Sequence, residues 1–271
     1  MRGTSQASLE DVQRRVDPSL LAAGDRAQTV GEQLFTVVDA FDSSGALRRS
    51  LADPSRPAED KAGLVRSLLS GGFDPLTVDV VEGLARNRWS SERDLVDAVS
   101  LVAVGAFLAA AQARGALETV ESELFQITRG LVTQRAVRQA LSDSSTEASR
   151  RVRLVEDLLA GKVDDVTLAL CRRAAAAPRG ERFVPALARI GDMAAVRRRK
   201  VVASVTSGSP LTGAQQDRLA ALLGEAYGSS IQLNVTVDPA VIGGLRVQVG
   251  SDVVDSTVLS RLADARRRLA S

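Results

Sequence analysis

Through roughly the first 195 positions, apolar residues return every three or four places. Leu9, Val12, Val16 and Leu20 form one row. Val30, Leu34, Val37, Val38 and Phe41 form a second, and Leu117, Val120, Leu124, Ile127 and Leu131 a third. Each spacing gathers its apolar side chains on one face of a helix. The rows are separated by DSSG at 42–45, DPSRP at 53–57, SGGFDP at 70–75 and AAPRGE at 176–181, all rich in turn and breaker residues. After about residue 200 the period shortens to two. Val201, Ala203 and Val205 alternate with more polar neighbours, as do Ile231, Leu233, Val235 and Val237, and then Leu245, Val247 and Val249. These patterns predict half-buried strands. A helix is predicted between the first two, opened by the capping box Thr212-x-x-Gln215, carrying Leu219, Leu222, Leu223, Ala226 and Tyr227, and ended by Gly228. Val253 and Val254 suggest one more short pairing, and a last helix is predicted from about Ser256, with Val258, Leu262 and Leu269 near one face.

The helical part repeats itself. LADPSRPAEDKAGLVRSLLSGGFDPLTVDVVEGLAR from Leu51 aligns without a gap on LSDSSTEASRRVRLVEDLLAGKVDDVTLALCRRAAA from Leu141. Leu51, Asp53, Ser55, Ala58, Leu64, Val65, Leu68, Leu69, Gly71, Asp74, Thr77 and Ala85 all match their counterparts. One long period seen twice indicates a duplicated helical domain and not a solenoid. The expected fold class is therefore mostly α: two tandem helical bundles followed by a small α/β C-terminal domain. The expected divisions are 1–105, 106–198 and 199–271.

Composition narrows the chemistry. The 271 residues are 45% hydrophobic and only 3% aromatic, so the cores are built from Leu, Val and Ala. The net charge of +2 is too small for a dedicated nucleic-acid binder. Nearly all the positive charge is Arg, with lysines only at Lys61, Lys162 and Lys200, a bias expected of a high-GC bacterium. The chain has no His, which removes the usual proton shuttle and the commonest metal ligand. It has one Cys, Cys171, in a helical stretch that suits a small core residue better than a reactive thiol. No phosphate-binding loop, dinucleotide fingerprint or nucleophile elbow occurs. No catalytic residue, cofactor, metal or small-molecule substrate is expected. MRGTSQASLEDVQRR lacks the apolar core of a signal peptide, and the run Ala98 to Ala111 is shorter than the roughly 20 residues that span a bilayer, so it reads as a buried helix. The run Arg197, Arg198, Arg199 and Lys200 fits either cations closing a helix or a site for phosphate or an acidic partner; the second reading makes the chain a helical adaptor or nucleic-acid binder. Trp89 fits either a core plug or an exposed anchor. The sequon Asn234-Val235-Thr236 lies within a predicted strand and is set aside.

The last forty residues carry a resemblance. An alternating strand at Val235 and Val237 ends on Asp238; Ile242 precedes Gly243 and Gly244; a second strand runs from Leu245 to Val249; Gly250 turns the chain; and Asp255 stands just before the last helix. This order resembles the C-terminal signature of the delta subunit of F-type ATP synthases, the OSCP family. GAFLAAAQARGALETVESELFQI (105–127) looks like the first two helices of that family's helical domain, and LARNRWSSERDLVDAV (84–99) like its fifth and sixth. Ordinary members have one such domain, so this chain resembles an enlarged, actinobacterial type. The resemblance implies a non-catalytic stator subunit that links the catalytic head to the peripheral stalk against rotor torque. It implies N-terminal helices of the alpha subunits and the b-type stalk as partners, no nucleic acid, and membrane association only through the complex, on the cytoplasmic face. A helical bundle with an apolar groove suits an amphipathic helix. The residues expected at the interfaces are Val78, Val81, Leu84 and Trp89 for the head, and Ile242, Gly243, Gly244, Leu245 and Val247 for the stalk.

Overall fold

The computed structural model describes residues 1, 3–143, 145–199, 201–227, 231–241, 244–249 and 252–255. Eleven helices come first: α1 (Thr4–Ala22), α2 (Arg26–Ser43), α3 (Gly45–Ala52), α4 (Ala58–Leu69), α5 (Pro75–Arg86), α6 (Glu92–Ala113), α7 (Leu117–Thr133), α8 (Arg135–Ser142), α9 (Ala148–Leu159), α10 (Asp165–Ala176) and α11 (Phe183–Arg199). Then follow β1 (Val201–Ser207), α12 (Gly213–Tyr227), β2 (Ile231–Val237), β3 (Leu245–Val249) and β4 (Asp252–Asp255). The mostly helical class with a small α/β end is as the periodicity predicts. Contact density divides the chain into two units, Met1–Ala195 and Val196–Ser271.

The helical unit is built twice on a 90-residue offset. Adding 90 to the bounds of α3, α4 and α5 gives the bounds of α8, α9 and α10. The polar contacts follow the same offset. Asp53 Oδ1 accepts from the N–H and hydroxyl of Ser55, and Asp143 Oδ1 accepts from the same groups of Ser145. The amide oxygen of Gln33 accepts from Asp74 N–H and the Thr77 hydroxyl; the carboxylate of Glu123 accepts from Asp164 N–H and the Thr167 hydroxyl. Arg66 pairs with Glu82 across α4 and α5, while Glu156 pairs with Arg172 across α9 and α10. The ion pair is kept with its polarity reversed.

One helix serves both copies. Shifting α1 by 90 residues places it on 94–112, inside α6, and shifting α6 itself places it over α11. So α6 is the sixth helix of the first copy and the first helix of the second. Its sequence is apolar on nearly every side, as a helix packed all round must be. It is long and apolar enough to cross a bilayer by length and composition, yet 72% of its most apolar window is buried in this unit. The expected division at 105/106 falls inside this helix, and one apolar core runs from Leu9 through Phe107 to Ala194.

Among its described residues the second unit holds a four-stranded sheet of order β2-β1-β3-β4. β1 pairs parallel with β2 across the α12 crossover, and antiparallel with β3. Val205 stands opposite Val247 and Ala203 opposite Val249, and these four side chains form the core of this unit. The capping box opens α12 as the sequence predicts: Thr212 N–H donates to Gln215 Oε1 at 2.8 Å, and Gln215 N–H to Thr212 Oγ1 at 3.3 Å. The suggested pairing at Val253 and Val254 is β4 against β3. Gly228 and the closing helix lie outside the described residues.

At Gly208 the backbone leaves no room for a side chain. A Cβ there would stand 2.2 Å from the carbonyl oxygen of Val241, which is backbone and cannot swing aside. Gly208→Ala is therefore expected to destabilise this unit by ~1–3 kcal/mol. Stability measured by hydrogen exchange of the β1 and β3 amides checks it, with Gly213→Ala, where a Cβ meets nothing within 4 Å, as the neutral comparison.

Candidate partner-binding surface

Among the described residues, no three His, Cys, Asp or Glu side chains stand close enough to share a metal ion. Cys171 is fully buried on α10, and burial, helped by the nearby Glu123, pushes its thiol pKa up to about 12. A thiol so held does not act as a nucleophile near neutral pH. Other shifted carboxylates have structural causes. Asp53 and Asp143 are held below their usual range chiefly by the Ser55 and Ser145 hydroxyls of their turns. Burial works to raise Asp164, but the Arg114 guanidinium and the Val166 N–H outweigh it and lower its pKa.

The head-facing residues expected from sequence are brought together, but inside. Val78, Val81, Leu84 and Trp89 are all buried. Val81, Leu84 and Trp89 belong to the main apolar core, where α5 meets α1 and α6. Trp89 is the core plug: its indole N–H donates to Leu84 O at 2.9 Å, satisfying the one polar atom it carries inside. These side chains set the shape of the α1–α5 face from beneath. Over that face lies Arg15, whose guanidinium covers Gly83.

The corresponding face of the second copy, between α6 and α10, is different. Here a cavity of about 400 Å³ opens, lined by Leu101, Val104, Leu170, Ala174 and Ile190, with Phe35 of α2 at one side. Its rim carries Arg93, Arg173, Arg179 and Arg189 beside Asp97 and Glu181. A partly apolar lining with a charged rim suits the apolar face of an amphipathic helix. Sequence reading missed this groove because its walls come from helices far apart in the chain; the 90-residue offset, applied to α1 and α5, is the signal that locates it.

In the second unit, Leu245 and Val247 lie on β3, with Val247 buried and Leu245 half-buried. Gly244 has φ 93, a conformation only glycine adopts without strain, which accounts for glycine at the start of β3. Ile242 and Gly243 lie outside the described residues. Arg197, Arg198 and Arg199 form the last turn of α11, where cations complement the helix dipole; Lys200 lies outside the described residues.

The described residues thus form a helical unit with a partly apolar groove, followed in the chain by a small α/β unit. Residues 104–269 match the family model described as ATP synthase delta (OSCP) subunit. Curated relatives named ATP synthase subunit delta align over the whole chain. That of Beutenbergia cavernae is 50% identical with all of both chains covered. That of Kineococcus radiotolerans is 44% identical over 99% of this chain and 97% of its own, and that of Thermobifida fusca 41% identical with both chains fully covered. A chain of the Toxoplasma gondii mitochondrial ATP synthase hexamer is similar at a TM-score of 0.30 and 20% identity, covering 62% of this chain and 95% of its own, a likeness too loose to carry an argument. The chain belongs to the ATP synthase delta (OSCP) subunit family, the non-catalytic peripheral-stalk component of F-type ATP synthases. It is thus a peripheral member of a membrane-bound complex.

Proposed function

We propose that this subunit holds the catalytic head still by receiving N-terminal helices of the alpha subunits on its helical unit. The b-type stalk would meet the C-terminal unit around residues 242–249 and the segment from about Ser256, on the cytoplasmic side of the membrane. The α6–α10 groove is the receiving face that the geometry favours. The observation that carries this is its open, partly apolar lining, in contrast to the first copy, where Arg15 lies over Gly83. The family match supports it, since it begins within α6 and runs through the second copy. Binding spread over Leu, Val and Ala contacts requires no reactive side chain.

The α1–α5 face above Val78, Val81, Leu84 and Trp89 is the second reading, favoured by its own buried apolar support. One experiment separates them. An alpha-subunit N-terminal peptide is titrated into the full-length chain and hydrogen-exchange protection is mapped. Protection on α6, α10 and α11 supports the first reading. Protection confined to α1 and α5 moves the site to the first copy, and no protection on either face rejects both.

A further inference from the structure

The two copies differ in side chains placed where the second faces the first. On the 90-residue offset, Gly83 corresponds to Arg173 and Trp89 to Arg179. In the first copy these positions serve the copy itself: Gly83 leaves room for Arg15, and Trp89 plugs its own core. In the second copy both side chains reach α2 of the first, and Arg179 also reaches the shared helix α6. The Arg173 guanidinium binds Asp39 on α2 through two hydrogen bonds of 2.8 Å each, and lies 4.6 Å from the centre of the Phe35 ring. Arg179 bridges Asp42 on α2 and Asp97 on α6, each at 3.0 Å. Arg93 of α6 donates to the Arg179 carbonyl at 3.2 Å.

Arg179 also holds an unusual backbone. Its φ is 50, and among the described non-glycine residues it alone has a positive φ; Gly180 follows at φ 82. Pro178 O accepts from Glu181 N–H at 2.9 Å and closes the turn. An L residue persists there only when its surroundings hold it. The two carboxylates on either side supply that hold. Beside them is the 400 Å³ cavity, so apolar packing alone does not fill this joint.

We propose that Arg173 and Arg179 form a clamp that locks the second helical copy onto the first. With the clamp closed, the copies act as one stiff arm; with it open, the second copy moves about the shared helix α6. A tether that must resist torque gains from having this joint closed. The inference does not depend on which partner occupies the groove.

The test uses the full-length chain with spin labels at S67C and D157C, equivalent exposed positions on α4 and α9. Cys171 is buried and stays unlabelled. The unaltered clamp is expected to give one narrow distance population. R173A/R179A is expected to add a second, broader population and to speed amide exchange on α10 and α11 by about tenfold. The triple variant D39N/D42N/D97N changes only half-exposed carboxylates on α2 and the shared helix α6 and is expected to do the same. The charge-swapped pair R173D/D39R, with Arg179 intact, is expected to restore the narrow distribution relative to R173D alone. A distance distribution unchanged in the triple variant, or one that the swap fails to restore, overturns the proposal.

Discussion

Phe107→Ala is expected to lower the stability of the helical unit by ~3–5 kcal/mol, the range for emptying a buried aromatic site. Phe107 is 2% exposed on α6 and stacks on Phe35 of α2 with ring centres 5.7 Å apart. It also fills the space that Gly31 leaves open. A Cβ at Gly31 would stand 2.6 Å from the ring and 3.1 Å from Ala103 O, so α2 and α6 approach closely only because that residue is glycine. With so few aromatics in the chain, this ring is a large share of the junction, and the small Ala residues around it cannot move in to fill a void. A domain has about 5–15 kcal/mol of total stability, so the loss is a large fraction. Urea unfolding measures it as a lower midpoint. Phe125→Ala is the control: that ring is 61% exposed on α7 and its loss is expected to stay within about 0.5 kcal/mol. Equal effects at the two positions would show that the α2–α6 seam is not the centre of the core.

Arg151→Ala is the second large effect, expected at about 3 kcal/mol. Arg151 is buried on α9 and its guanidinium serves four carbonyls. Nε donates to Ala175 O at 2.8 Å and Nη2 to Ala176 O at 3.3 Å, at the C-terminal end of α10. Nη1 donates to Asp143 O at 3.1 Å and also to Thr146 O, tying down the turn before α9. Its cation also meets the negative end of the α10 dipole. Truncation removes all four donors at once and opens a space beside them. The first copy supplies the comparison: Lys61, at the equivalent position, donates to Asn87 O at 3.2 Å, and burial lowers its pKa. Arg151→Lys is therefore expected to keep one carbonyl contact and to lose roughly 1–2 kcal/mol, because an ammonium cannot reproduce the planar fork. If Lys serves as well as Arg, the fork is not what holds the turn.

Much of this architecture was legible in the residue pattern because the signals are local. The three- and four-residue rows became α1, α2 and α7, the breakers became the loops, and the period-two runs became β1 to β3. The Thr212–Gln215 capping box and the glycine at the start of β3 formed as their chemistry requires. The repeat was visible too, since Asp53 and Asp143, or Thr77 and Thr167, play the same role in each copy.

What the sequence alone determined is therefore the kind of element at each place, the duplication, and a family resemblance carried by the last forty residues. The tertiary structure alone decided how the copies join. Nothing in the periodicity of α6 says that it closes one bundle and opens the next, because an all-round apolar helix records burial without naming its neighbours. Burial likewise settled that Trp89 is a core plug, since an aromatic at a loop reads the same whether it faces inward or out. The Asp39–Arg173 contact spans 134 positions, and charge alone cannot show which of many scattered Asp and Arg residues meet. Side-chain pairing over such distances follows from the packing of the helices, and only the folded chain fixes that packing.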